Sequence, residues 1–191
     1  MQDPIEILMR EHRTIETVLD ALDVYAEALA EGAGPERRDL GQFVTFIREF
    51  ADRKHHGKEE AILFDAMASH GFPREAGPVA VMLREHDIGR GHVGAMAEVA
   101  SSEDAWTDGE RKRARDEARS FTGLLRQHIQ KEDTILYPMA KAQLPPEAMV
   151  QVAERCARFE GEQAESGVHA RLEGLAKELV ERYGSQGGTH R

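Results

Sequence analysis

What this chain lacks narrows it first. It has one cysteine, Cys156, in 191 residues, so no intrachain disulfide can form and a reducing compartment suits it. Aromatic residues make up 6% and prolines number 7, a composition that favours helices. No apolar run approaches the roughly 20 residues of a membrane span. The N-terminus, Met-Gln-Asp-Pro-Ile-Glu, has neither the basic nor the apolar region of a secretory leader. A cytoplasmic protein is the expectation. Positive charge is also in deficit: 25 Lys and Arg face 35 Asp and Glu, a net charge of −10. That disfavours nucleic acid and anionic membrane as main partners, since both want a basic face. The short basic run Arg111, Lys112, Arg113 and Arg115 is interleaved with Glu110, Asp116 and Glu117 and reads as a solvated helix face.

What the chain has is a repeat. Residues 55 to 64 read His-His-Gly-Lys-Glu-Glu-Ala-Ile-Leu-Phe, and residues 128 to 137 read His-Ile-Gln-Lys-Glu-Asp-Thr-Ile-Leu-Tyr. They align without a gap. Upstream, Met9-Arg10-Glu11-His12 matches Leu83-Arg84-Glu85-His86. The separations His12 to His55 and His86 to His128 differ by one residue. Two copies of one unit are implied, each a helix with an inward histidine, a turn, and a helix carrying His-x-x-x-Glu. On a helix, i and i+4 share a face, so His55 lies over Glu59 and His128 over Glu132.

The remaining pattern places these residues in helices. From Pro4 to about residue 31, Leu8, His12, Ile15, Leu19 and Leu22 follow the spacing of a bundle seam, with Asp3 as the N-cap. Gly32-Ala33-Gly34-Pro35 ends this helix. A second runs from about Asp39 to Ser69, with Gly57 inside it at a cost of about 1 kcal/mol against alanine. Gly71-Phe72-Pro73 closes it. A third starts near Gly77-Pro78 and carries Val79, Met82, His86, Val93 and Met96. Its glycines, Gly89, Gly91 and Gly94, leave room for close approach or ligand access. A fourth runs from about Glu110 to Lys141, after a break that holds Trp106. The point midway between each successive pair of aligned histidines falls on a break. The expected fold is therefore all-α: an antiparallel up-down-up-down four-helix bundle with all four histidines at one level. Residues 1–143 form the bundle, and 144–191, after Pro145-Pro146, add two further helices and a disordered tail.

His12, His55, His86 and His128 would then converge with Glu59 and Glu132. Imidazoles suit iron, zinc or copper, and carboxylates can bridge two cations. This arrangement resembles the hemerythrin-like, HHE cation-binding family, over roughly residues 4 to 143. The resemblance implies a non-haem di-iron centre, its two irons bridged by Glu59 and Glu132 and by an oxo or hydroxo group. It also implies chemistry with a small diatomic ligand (dioxygen or nitric oxide) or with peroxide. Oxygen-carrying members place a second histidine one turn after the one on the third helix, where this chain has Arg90; His92 lies on the wrong face. His56 is the first candidate to replace that nitrogen, and Glu60 follows as an oxygen donor.

Two functional classes stand side by side. One binds or senses oxygen, iron or redox state. The other is enzymatic, a catalase-like disproportionation of peroxide or nitric-oxide and iron–sulfur repair chemistry. The other side chains have plainer readings. His70, His92, His169 and His190 read as surface residues, Met9, Met82, Met96 and Met139 as core, and Cys156 as structural. Glu11 and Glu85 are read as exposed, with support of the site as the alternative.

Overall fold

The computed structural model describes residues 2–31, 35–164 and 167–184. The expected turn at Gly32 to Gly34, His190, and the tail from residue 185 onward lie outside them. Among the described residues every regular element is helical. Helix α1 (Pro4–Ala30) starts as its sequence dictates: Asp3 accepts a hydrogen bond from the Ile5 N–H at 2.9 Å, and proline occupies the first turn. Helix α2 (Arg37–Phe46) does not end at its last α-turn. It continues through π-helical stretches Ile47–His56 and Glu59–Leu63 into α3 (Phe64–Ser69), one helical rod. Helix α4 (Gly77–Ala100) follows a turn in which Gly71 and Gly77 adopt positive φ. Helix α5 (Asp108–Lys131) runs through a third π-helical stretch, Glu132–Leu136, into α6 (Tyr137–Gln143). Helices α7 (Pro146–Ala164) and α8 (Val168–Tyr183) complete the chain.

Two apolar clusters fill the interior, separated by a polar layer. Along α1, Ile5 and Leu8 belong to one cluster and Ile15 to Leu29 to the other, with Glu11 and His12 between them. The rod from residue 37 to 69 passes the clusters in the opposite order, from Leu40 to Met67. Helix α4 repeats the order of α1, and the rod from 108 to 143 repeats that of the second. Both C-terminal helices contribute to this interior. Val152 and Cys156 of α7 join one cluster, and Leu172 and Leu179 of α8 join the other. Gly57 has a packing reason: a Cβ there would meet Phe159 of α7 at 3.2 Å, so glycine lets α7 sit close against the second rod.

The plainer sequence readings divide. Met82 and Met96 are buried, and Cys156 is a buried free thiol. His70 and His92 lie away from the polar layer, on Ala66 O and Glu117 respectively. Three residues of the basic run are paired, Lys112 and Arg115 with Asp116 and Arg113 with Glu98, while Arg111 lies over the Trp106 ring. Glu11, by contrast, is buried rather than exposed, because Lys54 and Lys58 compensate its charge and His55 hydrogen-bonds it.

Candidate metal centre

Each histidine of the polar layer is held from behind. His12 Nδ1 lies 2.7 Å from Asp133, His55 Nδ1 2.9 Å from Glu11, His86 Nδ1 2.7 Å from Glu60, and His128 Nδ1 2.9 Å from Glu85. His56 Nδ1 faces Asp52 at 3.4 Å. A carboxylate can only accept, so each Nδ1 carries a proton and each Nε2 is turned toward the layer. Those Nε2 atoms point inward. His12 Nε2 is 3.3 Å and His128 Nε2 3.2 Å from opposite oxygens of Glu132. His55 Nε2 and His86 Nε2 lie 3.7 and 3.5 Å from one oxygen of Glu59.

Two overlapping groups result whose ligand atoms lie within 4.8 Å of one another: His56, Glu59, His86 and His128, and His12, His55, Glu59 and Glu132. All seven side chains are buried. The structure thus brings together every sequence candidate except Glu60. That carboxylate stands behind His86 and shares a salt bridge with Arg90 at 2.7 Å. Arg90 turns outward from the layer to Asp52, Glu60 and Asp87.

His56 enters the layer because the backbone widens beneath it. On an α-helix it would point about 100° away from His55. The π-helical stretch ending at His56 inserts extra backbone per turn, and both rings reach the interior, 5.6 Å apart. The two glutamates open π turns of their own. The Phe64 N–H donates to Glu59 O, and the Tyr137 N–H to Glu132 O. The sequence repeat therefore extends to the hydrogen-bond pattern.

Sequence reading missed several partners. Tyr137 donates its hydroxyl hydrogen bond to Glu59 Oε1 at 2.6 Å and stacks on His12. Its counterpart in the other copy is Phe64, which stacks on His86. Asp133 and Asp52 carried no signal beyond being acids near the motif. Buried Lys58 joins Glu11 at 2.5 Å and Glu160 of α7 at 2.6 Å, so the C-terminal extension reaches the support of His55.

The electrostatics are those of a site built for cations. His55 Nε2, Glu59 Oε2 and both carboxylate oxygens of Glu132 are buried with no hydrogen-bond partner. The Nε2 atoms of His86 and His128 lie 3.0 Å apart. Unpaired acceptors at this depth cost free energy unless something positive sits among them. Burial and the neighbouring Glu132 charge push the Glu59 carboxyl well up. Burial opposes ionisation of Glu132 as well, but His128 and His12 outweigh it and hold that carboxyl well down. Burial drives His55 and His56 down to about 3. His12 rises to about 9, because Asp133 and Glu132 outweigh its burial. A bound cation would replace those protons and satisfy the orphaned atoms.

Set against known families, residues 3–140 match the model of the hemerythrin HHE cation binding domain. No curated protein matches the chain.

Proposed function

The chain belongs to the hemerythrin HHE cation-binding family, and from that premise we propose that it is a non-haem di-iron protein that binds or reacts with dioxygen, peroxide or nitric oxide. The alternating order in which the four rods cross the polar layer supports an up-down-up-down four-helix bundle as its frame. The observation that carries the reading is the set of inward ligand atoms. Four buried acceptor atoms have no partner, amid histidines whose outer nitrogens face carboxylates.

In this reading His56, His86 and His128 would hold one iron, and His12 and His55 the other. Glu59, which belongs to both groups, and Glu132, which reaches His12 and His128 with different oxygens, would supply carboxylate oxygens to them. Bound iron would supply electron exchange with the small ligand. The chain's own residues do the rest. Asp133, Glu11, Asp52, Glu60 and Glu85 fix the ring orientations and keep each Nε2 free. Tyr137 holds Glu59 by one oxygen and leaves the other free for metal. The apolar clusters above and below exclude bulk water and so strengthen each charge interaction within the layer.

Metal analysis of the purified protein tests this, with two irons per chain expected. Glu132→Ala should lose metal, since it removes the carboxylate on which His12 and His128 both converge; full iron content in that variant would refute the assignment. A stable oxygenated spectrum would favour binding or sensing, whereas sustained peroxide consumption would favour the enzymatic class.

A further inference from the structure

A cavity of about 210 Å³ opens beside the centre, and His56 and His86 line it. Its apolar walls are Ile47, Val93, Phe121 and Leu125, and half-buried Asp52 and Glu85 also line it. Exposed Arg48 and Arg90 mark the mouth. A larger cavity, about 420 Å³, lies against Glu11 and Lys54 and touches none of the seven inward side chains. Access from that side stops at the support of His55.

The lining fits one ligand chemistry. His86, Gly89 and Val93 share one face of α4 by their i, i+3, i+7 spacing, and the small residue leaves the space next to His86 open. An anion that passed Arg48 at the mouth would lose hydration against the apolar walls and meet the carboxylates Asp52 and Glu85, which also line the cavity. Arg90 does not offer it a partner, since its guanidinium already contacts Asp52, Glu60 and Asp87. The volume exceeds what a diatomic molecule fills, and an apolar cavity of roughly 150 Å³ takes up xenon or benzene.

We propose that this cavity binds small uncharged molecules with an apolar part, held between Val93 and Phe121 with one end at the His56–His86 side of the centre. The proposal rests on the metal reading for what happens to the molecule there, and on the cavity alone for its binding. Gly89 sets the available size. A Cβ there would lie 3.5 Å from Phe121 Cε2, an ordinary contact, so alanine fits and a leucine side chain has to enter the cavity.

The test uses the full-length protein, metal-free and iron-loaded. Xenon NMR should show saturable uptake in both forms, and benzene should raise the melting temperature while benzoate does not. Gly89→Leu should abolish xenon uptake and slow nitric oxide association by roughly tenfold or more, with iron content unchanged. No xenon uptake by the parent, equal effects of benzene and benzoate, or an unchanged nitric oxide rate in loaded Gly89→Leu would overturn the proposal. If Gly89→Leu does not fold, Gly89→Ala decides: reduced xenon uptake supports the cavity and undiminished uptake refutes it. Xenon and benzene need no metal. Their binding to protein that takes up no iron would sink the metal reading and spare the cavity, and a loaded protein that binds neither would do the reverse.

Discussion

At His56 the backbone, more than the side chain, decides the role. Spacing alone leaves this residue off the inward stripe, and the π-helical stretch from Ile47 to His56 brings it in. His56→Ala should therefore change the iron spectrum or the rate of ligand binding. His92→Ala should change neither, because His92 is held by Glu117 on another face. The reverse pattern in the two spectra would refute this placement. A second expectation concerns acid and alkali in metal-free protein. His55 and His56 titrate near 6.5 in the unfolded chain but are held down to about 3 when folded. Their contribution is whole above 6.5 and lost as pH falls from there toward 3. His12, raised to about 9, works oppositely: its contribution is whole below 6.5 and lost as pH rises through 9. Urea titrations of chelator-treated protein should place the stability maximum between those limbs; a profile flat from pH 4 to 9 would contradict both shifts. Histidine levels were readable from the repeat. The anchors Asp133 and Glu60 were not, because each serves a histidine of the other copy.

Helix boundaries follow local chemistry where the sequence is local, and escape it where packing rules. Thr107 and Glu110 form a reciprocal capping box at the start of α5, the Glu110 N–H donating to Thr107 at 3.2 Å and the Thr107 N–H to Glu110 at 2.9 Å. Thr107→Ala should cost about 1 kcal/mol and lower the melting temperature by about 2–4 °C without loss of metal; a drop in iron content would mean that α5 depends on its cap for register at His128. The π turns were not legible. They leave the apolar pattern intact, and their cause is tertiary: two histidines and a glutamate must face one interior. Gly57 gave a partial signal, a poor helix former inside a helix, but its reason, Phe159 of α7, lies in another element. The C-terminal helices were visible as helices. Their contact with the centre through Glu160 and Lys58 was not, since it depends on side chains distant in the sequence.

Across the whole molecule the two copies exchange anchors. His12 of the first is held by Asp133 of the second, and His86 of the second by Glu60 of the first. Glu11 and Glu85, in contrast, hold histidines of their own copy. The copies also differ, with Phe64 opposite Tyr137 and His56 opposite Ile129, so the two halves of the centre are not equivalent. Divided in the turn at residues 70–76, the chain would yield two fragments that each carry half of a reciprocal clasp. As monomers both should fail to take up iron, and mixing them should restore uptake in step with heterodimer formation, followed by light scattering and metal content. A monomeric fragment that binds iron unaided would show the clasp to be dispensable. If it is not, complementation between separated halves becomes a direct assay for the pairing that brings the centre into being.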